Sequence, residues 1–153
     1  MSARLTAPLA VMVGIGGAAI VAGGMVSAAT GPLGWAKGSW ASAYLVLVAG
    51  AAQVAYGLLQ RPLARRVPSA RIVVWQIVLF NLGNALVLAG SLATIPVVVD
   101  VGGAAIVAAL VLFLAAVRRR AAAHPAAVWT YRGLTVLLLV SIPVGLTIST
   151  LQA

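Results

Sequence analysis

Long runs without charge alternate with short segments carrying arginine, glycine or proline. Five runs are long enough to matter, at about 8–29, 40–59, 72–92, 97–117 and 133–151, and only the fourth contains a charged side chain, Asp100. A helix rising 1.5 Å per residue needs roughly 20 residues to cross about 30 Å of hydrocarbon, and each run meets that length. The pattern predicts an all-α, polytopic membrane bundle of five transmembrane helices forming a single domain. Ala93-Thr94-Ile95-Pro96 makes the third and fourth spans a tight hairpin, with Thr94 expected as N-cap and Pro96 in the first turn of the next helix. Pro143 is expected to bend the fifth span, with Ser141 close enough to satisfy a freed carbonyl.

Composition supports the bilayer assignment: of 153 residues, 63% are hydrophobic and 7% charged, against roughly a quarter charged in soluble domains. The net charge of +9 would suit a nucleic-acid binder if the basic residues formed a folded patch. They sit instead in the gaps between apolar runs, where they act as topology signals, and no nucleic-acid partner is expected. With the N-terminus inside, the inner segments hold Arg4, Arg61, Arg65, Arg66, Arg71, Arg118, Arg119, Arg120 and Arg132, and the outer ones only Lys37. Nine of ten basic residues on one side predicts N-in, C-out. Trp35, Trp40 and Tyr44 then fall at the outer interface, and Tyr56, Trp75, Trp129 and Tyr131 near the inner one, where amphipathic rings prefer to lie. The abundance of Ala, Val, Gly and Arg suggests a GC-rich bacterial genome, and hence the bacterial cytoplasmic membrane.

The first span has a rival reading as a secretory signal peptide ending at Val26-Ser27-Ala28. Its apolar run exceeds the roughly 7–15 residues of a signal core, so the span is expected to stay.

Gly16-Gly17-Ala18-Ala19-Ile20-Val21-Ala22 recurs letter for letter as Gly102-Gly103-Ala104-Ala105-Ile106-Val107-Ala108. A duplication with the two copies inverted in the membrane, as in many transporter folds, stands beside the alternative of biased composition. Either way Gly14, Gly16, Gly17, Gly102 and Gly103 are candidate helix-packing positions, because small residues let backbones approach where lipid supplies no hydrophobic force.

Polar groups within the spans are few. Gln53, Gln76, Asn81, Asn84 and Asp100 are the candidates for a polar core or a transport path, and Gln53 and Gln76 are expected at similar depth as an interhelical amide pair. Asp100, the sole carboxylate, is a candidate ion-pair partner of Lys37 or a proton or cation site. Arg61, Arg65, Arg66, Arg71, Arg118, Arg119 and Arg120 are candidate contacts for anionic lipid head groups.

Catalysis is not expected. Two-carboxylate chemistry lacks its second acid, His124 stands alone, and no cysteine is present, so neither a metal site nor a cofactor is implied. The chain reads as a small non-catalytic membrane protein, an accessory subunit or self-associating bundle whose partners are lipid, itself or other membrane subunits. A small oligomeric transporter or channel and a binder of lipid or hydrophobic ligands are the alternatives.

Overall fold

The computed structural model describes residues 7–64, 68–117, 128–129 and 131–138. All the regular structure among them is helical: α1 (Ala7–Thr30), α2 (Gly38–Tyr44), a π-helical segment (Leu45–Ala52), α3 (Gln53–Leu63), α4 (Ala70–Ala93) and α5 (Pro96–Ala116), with residues 131–138 also helical. Four stretches are long and apolar enough to cross a membrane: Ala7–Thr30, Gly38–Gln60, Ala70–Ala93 and Pro96–Ala116. Each lies within a few residues of an expected span. Most of the fifth expected span, including Ser141 and Pro143, lies outside the described residues.

The chain divides into two compact units, Met1–Leu58 and Leu59–Ala153. In the first, α1 packs against α2 and the π segment. Its buried side, Leu9, Met12, Gly16 and Gly23, follows the three-, four- and seven-residue steps of one helical face. The 31–37 connection turns at Gly34, whose φ of +58° is open to glycine at no steric cost. In the second unit α4 and α5 form an antiparallel hairpin, closed in its interior by Phe80 and Phe113 packed edge to face with centroids 5.8 Å apart.

Two local features depart from expectation. Thr94 closes α4 in the left-handed region, φ +58°, while Ile95 takes the N-cap position of α5 without a side-chain bond. The reason is the tightness of the turn: the Ile95 amide reaches back 2.8 Å to the Gly90 carbonyl, which a left-handed residue at 94 makes possible. Pro96 takes its place at the start of α5 as the fixed φ of proline favours.

The second departure is the π segment within the second span. Ser42 Oγ donates to the Gly23 carbonyl at 2.9 Å, and Gly50 meets Gly16 further along. Seven residues of α1 between those contacts are thus matched by eight of its neighbour. The wider i→i+5 turn takes up the extra residue, and the small run Ala49–Ala52 imposes no bulk against it.

Candidate functional site

Within each unit two helices meet through backbone. A Cβ on Gly16 would lie 2.9 Å from the Gly50 carbonyl oxygen and 2.9 Å from Val54 Cγ2. One on Gly50 would lie 2.5 Å from Ile20 Cγ1, and one on Gly57 2.6 Å from Val13 Cγ2. The second unit repeats the arrangement. A Cβ on Gly102 would lie 2.8 Å from the Gly83 carbonyl oxygen and 2.7 Å from the Val87 amide nitrogen, one on Gly83 2.7 Å from Ile106 Cγ1, and one on Gly90 2.9 Å from Val99 Cγ2. Val13, Gly16 and Ile20 of α1 therefore do what Val99, Gly102 and Ile106 of α5 do. Gly50, Val54 and Gly57 correspond in the same way to Gly83, Val87 and Gly90 of α4.

This interlock gives the sequence echo a physical content: the first glycine of each copy admits a carbonyl, and the isoleucine four residues later covers the opposing glycine. The helix order is reversed between units. In the first the echo-bearing helix leads its hairpin, and in the second it follows. The face is also narrower than the sequence suggests. Gly16 and Gly102 carry it and Gly103 is buried, but a Cβ on Gly14 or Gly17 would meet nothing within 4 Å. Those two point off the buried side of α1, because neighbours in sequence lie about 100° apart around a helix.

The amides spend their hydrogen bonds mainly on carbonyls. Gln53, 1% exposed, donates from Nε2 to the Met12 carbonyl at 3.2 Å. Gln60 Nε2 donates to Gln76 Oε1 at 3.0 Å, and Gln76 Nε2 donates onward to the Leu112 carbonyl at 3.2 Å. The expected pairing of Gln53 with Gln76 is thus replaced by two separate arrangements. The reason is that α3 runs on to Leu63 and so buries Gln60, a residue the sequence pattern placed in a loop. Gln53 Oε1 and Gln60 Oε1 are buried without a hydrogen-bond partner. Asn81 and Asn84 donate to carbonyls one turn back, Ile77 at 2.8 Å and Phe80 at 2.7 Å. Of the three α4 candidates Gln76, Asn81 and Asn84, Gln76 and Asn84 are buried.

Tyr131, expected from the sequence as a ring near the inner interface, is instead buried and closes the same end of the second unit. Val117, whose amide would serve the Phe113 carbonyl in a continuing α-helix, bonds Leu114 instead. The Tyr131 hydroxyl supplies the missing donor at 3.1 Å, and Thr135 Oγ1 donates to the Tyr131 carbonyl at 2.8 Å. A buried end-of-helix carbonyl is a requirement that sequence alone does not reveal.

Asp100 is exposed near the start of α5, and Arg71 is exposed in the first turn of α4. Lys37 stands at the N-cap of α2, where its carbonyl accepts the Ala41 amide at 3.0 Å. Lys37 and Asp100 belong to different units. Arg61 lies on α3, while Arg65, Arg66, Arg118, Arg119, Arg120 and His124 lie outside the described residues. Among the described residues no three His, Cys, Asp or Glu side chains gather into a metal-holding group. No known protein family, curated protein or solved structure matches the chain.

Proposed function

We propose that this is a non-catalytic multi-pass protein of a bacterial cytoplasmic membrane, with five spans and N-in, C-out orientation, that works by helix association as an accessory or self-associating subunit. The observation that carries the reading is the repeated glycine interlock. In both units the special residues serve close backbone contact, and the interhelical amides are largely committed to carbonyls. Such contacts drive association in lipid through dispersion and hydrogen bonding. Short connections leave little chain to recognise a large soluble partner, and the inner arginines would add anionic head-group contact at about 1 kcal/mol per residue near the surface.

Purification in mild detergent, with mass measurement and identification of co-purifying chains, tests the reading. A self-oligomer or a stoichiometric membrane partner is expected, and a lone monomer under all mild conditions overturns it. Reporter fusions test the topology: one at Ala153 should be active only outside, and one within 118–132 only inside.

A small oligomeric transporter is the second reading, motivated by the heptapeptide that α1 and α5 share letter for letter. If the four described spans all cross, α1 and α5 run in opposite directions, as the copies of an inverted repeat do. Proton- or cation-dependent flux in liposomes that vanishes on Asp100→Asn would establish it over the first reading, since an amide cannot exchange a proton near neutral pH.

A further inference from the structure

The internal repeat supplies its own control for Asp100. On α5 the positions turned away from α4 form one stripe, Val97, Asp100, Val101, Ala104, Ala108 and Val111, all exposed. The positions 86 residues earlier on α1, from Val11 to Met25, are likewise exposed, and there Gly14 stands where Asp100 stands. The two stripes otherwise match in character: Val11 with Val97, Ile15 with Val101, Ala18 with Ala104, Ala22 with Ala108. Since α1 makes the same interlock without an acid at this point, the carboxylate is not a requirement of the hairpin. It belongs to the outward face.

We infer that the outward face of α5 docks a transmembrane helix of a different protein, one carrying a lysine or arginine about one turn inside the membrane boundary. The inference rests on the reading of the chain as a subunit of an assembly. Asp100 lies about 6 Å along the axis from Pro96, so a span beginning there carries it into the edge of the hydrocarbon, where an unpaired carboxylate is costly. Ala104 and Ala108 sit one and two turns deeper on the same stripe and allow close backbone approach. Charge decides the occupant. Two copies meeting through this face would set Asp100 against Asp100, and like charges in register oppose pairing. A second copy has only Lys37 on that side of the membrane in the proposed topology, and Lys37 precedes α2 rather than lying within a span. A basic group from another helix neutralises the carboxylate at its own depth.

The test uses the full chain, donor-labelled, in phosphatidylcholine vesicles, with acceptor-labelled synthetic Leu/Ala transmembrane peptides that carry either one lysine a turn inside one end or leucine there. Energy transfer should report association at least about 10-fold tighter for the lysine peptide, the factor that about 1.4 kcal/mol of ion pairing supplies. Asp100→Asn should bring the two peptides level, Asp100→Glu should keep the preference, and Ala104→Leu with Ala108→Leu should weaken both peptides. Unchanged helix content and thermal unfolding of the Asn variant would separate lost docking from lost folding. Equal association of the two peptides with the unaltered chain overturns the inference, as does a preference that survives Asp100→Asn. A self-oligomer that dissociates on Asp100→Asn overturns it too, by making a second copy the occupant. Failure of the lysine preference leaves the assembly reading standing, because that reading falls only if the purified chain is a lone monomer.

Discussion

Gly16 and Gly50 approach so closely that a methyl group on the first would stand 2.9 Å from the carbonyl oxygen of the second. Gly16→Ala should therefore destabilise the protein by about 1–3 kcal/mol, the usual cost of overpacking against unyielding backbone. Gly102→Ala should behave alike, because its Cβ would meet the Gly83 carbonyl and the Val87 amide. Gly17→Ala, with open space around it, should gain about 0.5–1 kcal/mol from helix propensity. Denaturant titration in detergent separates the two outcomes, and equal effects at 16 and 17 would refute the interlock.

Thr94 holds a φ of +58°, which a β-branched residue adopts at a cost of about 1–2 kcal/mol. Thr94→Gly should raise stability by about 1 kcal/mol, with part of the relief offset by the greater freedom of glycine in the unfolded chain. A lower melting temperature for this variant would count against the left-handed turn.

Gln60 and Gln76 should show coupled energetics. Gln76→Leu removes the acceptor for Gln60 Nε2 and leaves that amide buried without it, costing about 2 kcal/mol. Gln60→Leu should cost less, about 1 kcal/mol, because Gln60 Oε1 already lacks a partner. The double variant should cost less than the sum of the single ones by about 1 kcal/mol, and strict additivity in the cycle would mean that the two side chains do not interact.

Tyr131→Phe deletes the donor to the Phe113 carbonyl while keeping the ring. A loss of about 1 kcal/mol is expected, together with faster hydrogen exchange at the C-terminal turn of α5. Unchanged exchange there would show that the Tyr131 hydroxyl does not hold that end.

Much of the architecture is legible in the sequence. The four helices long and apolar enough to cross a membrane were recoverable because lipid permits no unpaired backbone and tolerates few charges, so an apolar run of that length has one regular solution, the helix. The repeated Gly-Gly-Ala-Ala-Ile-Val-Ala was visible too, and it marked a packing face on both helices. Which glycines faced the partner was not visible, since Gly14, Gly16 and Gly17 are equally small and only the direction in which α1 presents its face distinguishes them. The answering Gly50 and Gly57, and Gly83 and Gly90, were in plain sight as pairs seven residues apart, a spacing that returns to nearly the same side of a helix.

The sequence by itself determined which stretches are apolar enough to lie in lipid, the length of each of those helices and the scarcity of groups able to do chemistry, because these follow from the transfer free energy of each side chain and from the rise of a helix. Only the tertiary structure decided the partners: Gln60 rather than Gln53 for Gln76, the Phe113 carbonyl for Tyr131, a left-handed Thr94 in place of a cap, and a π segment to match eight residues against seven. Each of those depends on where a second helix places its backbone. Hydropathy is a property of one residue at a time, whereas a hydrogen bond or a methyl-sized gap is a property of two chain segments held in register.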